Sequence, residues 1–319
     1  MPNAKRKNRC TTYCLLLAVS FVIFLSSYRI INAQNISLGI SPPLTEIMIQ
    51  PGKDFTQNYQ LANEAAQTVI KARVVTFTSA DKYGNVKLLE KYDDSLGDYL
   101  SWFKVVEPQL NAKSAFVIAP GATKNVTVKI DVPENASEGD YYVTLLFETD
   151  NSALISGETS GVNAKIGTNI LLTVSKDGNP ERSSEIVNFS VPHFTDSFRE
   201  INYKVVLANT GSAYFKPIGN ITVRPFLGKE RVLEIAPQNI LASSQREYPC
   251  VNDNTLIRCT LNDKFLLGTY IAKLEFQIDG EGETYEATTT TITFPYLFLV
   301  AIFISISILF TIKVYKTRK

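Results

Sequence analysis

From Pro295 to Ile312 the chain reads PYLFLVAIFISISILFTI, without a single charged residue. A helix over this run would reach roughly 27 Å, close to the hydrocarbon thickness of a bilayer. A helix in a soluble core keeps a polar face, and this one has none, so residues 294–312 are expected to span a membrane. The basic tail 313–319 follows, with Lys313, Lys316, Arg318 and Lys319 and no acid. Positive charge accumulates on the cytoplasmic side of membrane spans, so these four residues set the expected topology: C-terminus inside, everything before the span outside.

The other end fits that topology. Lys5, Arg6, Lys7 and Arg9 precede an apolar run from Cys14 to Leu25, short for a span and suited to a secretory leader, so 1–33 reads as a signal peptide with cleavage after Ala33. Left uncleaved, it would anchor the chain with its basic end inside, and the middle would still face outward. Five of the 32 basic residues precede Ala33 and four follow Ile312, which leaves 23 against 31 acids in the middle, a net charge of about −8. Nucleic acid is excluded as a partner on that sign.

Cys10 and Cys14 fall in the leader, and the polar residues before Cys14 do not form the apolar lead-in of a lipoprotein site. Cys250 and Cys259 remain, separated by VNDNTLIR. In an exported chain such a pair is expected to form a disulfide, since two thiols are too few ligands for a structural zinc site.

Between the two ends the pattern is that of strands. Val126, Val128, Ile130 and Val132 alternate with polar residues, the period of a strand with one dry face and one wet face. PENASEGD then turns the chain into YYVTLLFE, Tyr141 to Glu148, whose greater apolar content predicts a more central strand. Phe55 to Ala62 and Val69 to Thr78 read as strands upstream; LLEKYDDSLGDYLSWF has mixed spacing that suits a short helix across a sheet end. The polar stretch 176–184 reads as a linker between a first domain, 34–175, and a second, 185–293. In the second, Val187, Phe189 and Val191 alternate, as do Ile201 to Leu207 and Tyr270 to Ile278. Two all-β sandwiches in tandem, carried by a transmembrane helix, are the expected fold.

The halves echo each other. Leu61-Ala62-Asn63 and Leu207-Ala208-Asn209 each end a strand, while Gly139-Asp140-Tyr141 and Gly268-Thr269-Tyr270 each open a late one. The Gly-x-Tyr pair resembles the tyrosine corner of immunoglobulin-like sandwiches, whose phenol bonds back to the backbone.

APGATKNVTVKIDVPENASEGDYYVTLLFE, preceded by the only tryptophan in SWFKVVEP, together with ANTGSAYFKPIGNITV, resembles immunoglobulin-like, PapD-like surface domains of prokaryotes. The order of leader, two such domains, span and basic tail is similar to the WxL-interacting cell-surface proteins. That resemblance implies surface proteins bearing WxL domains, or cell-wall glycan, as partners, and it implies no binding residue. The Cys250 and Cys259 pair is not a feature of that family's pattern.

Little chemistry is visible. His193 is the single histidine, placed where a connector or edge strand is expected. Glu90, Asp93, Asp94 and Asp98 form an acidic cluster without the alternating order of a calcium loop, and so read as a solvated loop. Asn-x-Ser/Thr triplets occur at Asn35, Asn125, Asn135, Asn188 and Asn220. No glycine-rich phosphate loop or cysteine metal spacing appears, so no cofactor or metal is expected. The reading is a non-enzymatic, single-pass surface binding protein. Its rivals are an extracytoplasmic chaperone or assembly factor on the same fold and a wall-acting hydrolase.

Overall fold

The computed structural model describes residues 38–64, 66–89, 99–108, 115–149 and 164–317. The expected leader 1–33, the sequon at Asn35, the cluster Glu90, Asp93, Asp94 and Asp98, and the tail residues Arg318 and Lys319 lie outside the described residues.

The first half forms β1 (Leu38–Ser41), β2 (Leu44–Ile49), β3 (Asp54–Asn63), β4 (Thr68–Ser79), β5 (Val86–Leu89), β6 (Phe103–Glu107), β7 (Ala115–Ile118), β8 (Ala122–Asp131), β9 (Gly139–Thr149) and β10 (Lys165–Val174). Two sheets face each other, in the orders β1-β3-β8-β6 and β2-β10-β9-β4-β5, with β7 also on β4. The opening strand thus divides between the sheets: β1 lies antiparallel to β3 and β2 parallel to β10. This is an immunoglobulin-like sandwich.

The alternation in β8 works as expected, with Val126, Val128 and Ile130, and Val132 just past its end, buried in one cluster with Tyr59, Leu61 and Phe147. Strand β9 sends Val143, Leu145 and Phe147 into the same core, yet Thr144 and Leu146 on its other face are buried too. Such two-sided burial explains its apolar sequence. Within LLEKYDDSLGDYLSWF, the described part is the end of strand β5, a single 3-10 turn, Tyr99–Trp102, and Phe103, which opens β6. Trp102 packs on Tyr141, ring centroids 4.7 Å apart, and the Tyr141 hydroxyl donates to the Ser137 carbonyl at 2.9 Å, which is the tyrosine corner.

The second half forms β11 (Ser184–Ser190), β12 (Phe194–Asp196), β13 (Ile201–Asn202), β14 (Lys204–Asn209), β15 (Pro217–Pro225), β16 (Arg231–Ile235), β17 (Gln245–Tyr248), β18 (Cys250–Asn252), β19 (Thr255–Ile257), β20 (Thr260–Leu261), β21 (Gly268–Ile278) and β22 (Glu281–Phe294). Sheet β11-β14-β17 packs against sheet β12-β22-β21-β15-β16-β18-β19, with β13 paired to β20. Phe215 and Phe276 are the largest fully buried side chains of its core. One local expectation shifts: a bulge between Ile186 and Asn188 puts Val187 on the exposed side, 43% accessible, and breaks the simple alternation of β11.

The echo between the halves has a physical role. Asn63 ends β3 and Asn209 ends β14, and both are buried. Each side-chain amide ties down loop carbonyls, Asn63 those of Ala66 and Ala119 at 2.9 and 3.2 Å, Asn209 those of Ala213 and Ile240 at 2.9 and 3.0 Å. Tyr270, by contrast with Tyr141, is buried among the apolar residues of the second core.

Strand β17 begins beside β14, then the chain leaves for the opposite sheet as β18 beside β16. It turns at Asp253 and Asn254, both with left-handed φ (47° and 60°), and returns through β19 to pair at β20. Cys250 and Cys259 are joined across the base of this excursion, with Cα atoms 4.8 Å apart.

Strand β22 ends at Phe294, and Pro295, lacking an N–H to continue the ladder, stands before helix α1 (Tyr296–Thr317). This helix is long and apolar enough to cross a membrane, and none of its residues is buried in the protein. It continues through Lys313 and Lys316.

Opening the disulfide in a Cys250→Ser/Cys259→Ser variant frees a short loop and should cost about 2–3 kcal/mol of second-sandwich stability. Urea unfolding read by hydrogen exchange should show that loss in β14, β17 and β20, with β8 and β9 unchanged.

Candidate functional site

The outer face of the first sandwich's larger sheet carries Leu44, Glu46, Phe77, Tyr142, Asn169 and Leu171, neighbours across β2, β10, β9 and β4. Against it lie two segments of the second half, 214–216 and the irregular connection 236–244 that leads into β17.

At the centre is Asp140, the second residue of β9. Its Oδ1 accepts from Thr173 Oγ1 at 2.6 Å, and its Oδ2 from the Tyr142 hydroxyl at 2.5 Å and the Tyr214 amide at 2.6 Å. The same Tyr142 oxygen accepts from the Ala242 amide at 2.8 Å, and its ring stacks on Phe77 at 5.6 Å. One carboxylate and one phenol therefore join both sandwiches. Burial pushes the Asp140 carboxyl above its ordinary range, and the donors from Thr173, Tyr142 and Tyr214 oppose that rise. Burial, then the adjacent carboxylate, raises Tyr142.

Two ion pairs flank this centre. Glu46 meets Lys216 Nζ at 2.7 Å and Asn239 Nδ2 at 2.5 Å. Burial works against the charge on Glu46, but the Lys216 and Asn239 bonds prevail and hold its carboxyl below the ordinary value. On the other side Lys82 reaches Glu247 at 2.9 Å, and the Glu247 amide donates to the Lys82 carbonyl at 2.6 Å. Gly84, with φ +86°, lies against the Arg246 guanidinium where any β-carbon would collide.

Hollows open beside this seam, two of them against Arg246. One, of about 210 Å³, is floored by Leu44, Phe77 and Leu171 and rimmed by Asn85, Asn169, Asn239 and Arg246. The larger, of about 580 Å³, lies between Tyr83 and the disulfide-based hairpin and is lined by Lys204, Arg246, Tyr248, Leu256, Arg258 and Cys259 among others. Leu256 is 55% exposed, so this wall offers an apolar contact next to three cations, Lys204, Arg246 and Arg258, and one acid, Glu247. Arg246 is held by Asn239 and Gln238 at 2.6 and 2.8 Å and separates the two hollows. The arrangement suits recognition of a ligand that carries both hydrogen-bonding or anionic groups and an apolar face.

Of the residues singled out from the sequence, the Cys250–Cys259 bond stands in the wall of the larger hollow, and Lys313 and Lys316 are on the final turns of α1. His193 is an exposed connector residue whose carbonyl accepts from the Ile292 amide at 2.9 Å. Asn125 and Asn135 are exposed, whereas Asn188 and Asn220 are partly buried on strands. Among the described residues no three His, Cys, Asp or Glu side chains are grouped to hold a metal. The seam residues Glu46, Lys216 and Arg246 carried no sequence signal, and Asp140 and Tyr142 were visible only as members of the Gly-x-Tyr tripeptide and the strand after it, because each is an ordinary polar residue in a strand or turn.

No protein-family model matches this chain, and no curated protein matches it. Solved structures similar to it include the class 5 fimbriae chaperone CfaA, at 13% identity over 81% of this chain and 100% of that one, with a TM-score of 0.38. The E. coli chaperone DraB matches at 10% identity over 79% of this chain and 98% of its own, TM-score 0.36. The Pseudomonas aeruginosa CupB2 chaperone matches at 8% identity over 80% and 100%, TM-score 0.35. Values this low carry no conclusion about what this chain binds.

Removing the shared phenol with Tyr142→Phe leaves the Ala242 amide without its acceptor and Asp140 Oδ2 with the Tyr214 amide as its one remaining donor. It should cost about 1–3 kcal/mol, read as a lower urea midpoint and faster amide exchange at 214 and 242. The pH response has two opposing parts. Glu46, lowered in the folded state, gives stability that is present above its ordinary pKa and is lost as pH falls through its folded value. Asp140, raised, gives stability that is present below its ordinary pKa and is lost as pH rises through its folded value. In Glu46→Gln the acid-side loss should therefore shrink, and urea midpoints taken from pH 5 downward check it.

Proposed function

We propose that this chain is a non-enzymatic, membrane-anchored surface protein of a prokaryotic envelope whose two sandwiches engage surface proteins or cell-wall glycan. The observation that carries the reading is the larger hollow, where a disulfide-based hairpin and the seam together present Tyr83, Lys204, Leu256 and Arg258 on a rigid frame. In this reading the leader 1–33 is removed, residues 34–175 and 185–293 are the two extracytoplasmic domains joined by 176–184, and 294–312 crosses the membrane. Lys313, Lys316, Arg318 and Lys319 then keep 313–319 in the cytoplasm. The resemblance to WxL-interacting proteins supports the same partners. A glycan would use the polar rim and the tyrosine face, and a protein would add contacts along the outer edge of β19, whose Thr255, Leu256 and Ile257 are all exposed.

That edge also favours a second reading, an extracytoplasmic assembly factor that holds a client strand. The two separate by client state: an assembly factor prefers an unfolded surface subunit, a receptor its folded form.

For the test, the full chain in lipid nanodiscs is offered purified wall glycan and, separately, folded surface proteins from the same envelope. Leu256→Ser/Arg258→Glu should lower the affinity for the bound probe at least tenfold with an unchanged thermal midpoint. Binding of neither probe, or equal binding by the variant, would overturn the proposal.

A further inference from the structure

The end of the second sandwich next to α1 is unusually apolar for a protein surface. Phe194, Phe198, Phe226, Leu227, Phe265 and Leu267 are 71, 60, 75, 65, 49 and 43% exposed. They come from three separate places in the chain, the β12 region, the β15–β16 turn and the segment before β21, and the fold brings them to one level. Phe194 is paired with Ile292, and Asp196 with Phe294, the last residue of β22. Gly268 is paired with Thr293, the Phe226 amide donates to the Thr269 carbonyl at 2.7 Å, and the Phe226 side chain lies over Gly268. The Phe198 and Phe265 rings meet edge to face at 5.3 Å. All six therefore stand at the height of the last strand pairs before Tyr296.

The helix is also fixed to that surface. Asp196, 1% exposed, accepts from the Leu297 amide at 2.9 Å through Oδ2 and from the Phe198 amide at 3.1 Å through Oδ1. It thus caps the first turn of α1 with a carboxylate where the helix dipole favours one. The Ser197 amide donates to the Phe294 carbonyl at 3.3 Å, and the Leu266 amide to the Ser197 carbonyl at 2.9 Å. The strand-to-helix junction is consequently bonded to the same loops that carry the phenylalanines.

We propose that this rim docks into the interfacial layer of the bilayer that α1 crosses, so that the second sandwich rests on the lipid instead of standing off it. The inference rests on α1 being a membrane span. A contiguous apolar rim of this kind is rarely left to water. The lipid is chosen over a second protein by continuity. With 22 residues, α1 reaches about 33 Å, so Tyr296 lies at the hydrocarbon boundary when Lys313 and Lys316 lie at the opposite one. Side chains level with Tyr296 fall in the layer where aromatic residues concentrate. Arg199, Lys229 and Lys264, all exposed, adjoin Phe198, Leu227 and Phe265 closely enough in the chain to meet lipid phosphates. Of the acids beside them, Glu230 and Asp263 are paired with Arg224 and Arg231, at 2.7 and 3.5 Å, and exposed Glu200 adjoins Arg199.

The test uses the full chain in phosphatidylcholine–phosphatidylglycerol vesicles whose acyl chains are brominated near the glycerol end and, for the reporter inside the helix, near the middle of the chain. The one tryptophan, Trp102, is replaced by phenylalanine, and a single reporter is placed by Phe198→Trp, Phe226→Trp or, inside the helix, Phe303→Trp. Bromine should quench the reporters at 198 and 226 at least twofold and leave Trp102 of the natural chain bright. Quenching at 303 with none at 198 and 226 would overturn the docking proposal alone. No quenching at 303 would overturn the membrane reading and the proposal with it. Emission at 198 and 226 that responds to protein density in the vesicle and not to bromine would assign the rim to a second copy, which also overturns it.

Discussion

A single carboxylate, Asp140, accepts hydrogen bonds from the first sandwich through Thr173 and Tyr142 and from the second through Tyr214. Two sandwiches joined only by a polar linker would move independently, since the interfaces between domains of one chain are small by default. Here the donors converge on one buried acceptor, and each of them opposes the burial that raises its carboxyl, so losing any one deepens the desolvation cost. The hollows beside Arg246 have a defined form because this seam sets the distance from the β4–β5 turn to the hairpin on the other side.

Asp196 repeats the device at the other junction. It ties a strand near the start of the second sandwich to the first turn of the terminal helix. Between the two acids runs a continuous load path: the seam, the core around Phe215 and Phe276, strand β22 and α1. The hairpin closed by Cys250 and Cys259 projects from this frame without its own core, which is why a covalent bond at its base matters more than one elsewhere would. A surface built this way holds a fixed geometry relative to the terminal helix.

The strands were legible where neighbours in sequence decide them. Val126 to Val132 alternate because one face of β8 is dry, and that pattern needs no knowledge of the partner strand. Tyr141 and its Ser137 acceptor are four residues apart, so the corner was readable as well. The paired asparagines, Asn63 and Asn209, were visible as a repeated tripeptide, though their clamping of distant loop carbonyls was not. Val187 misled because a bulge costs one residue of register, and nothing in a short apolar alternation announces it. The joining roles of Asp140, quoted only as the middle of a Gly-x-Tyr tripeptide, and of Asp196 were not readable because their decisive partners lie 74 and 101 residues away.

Composition and local pattern alone determined that the chain is built of strands, carries an apolar helix followed by a basic stretch, and holds one cysteine pair, Cys250 and Cys259, between its two apolar segments, since each of these follows from contiguous residues. Tertiary structure decided how the sandwiches are joined, where the hollows open and which phenylalanines gather beside the helix. Those depend on side chains that meet only after the sheets have formed, and hydrogen bonds and apolar rims between distant segments leave no period in the sequence to be read.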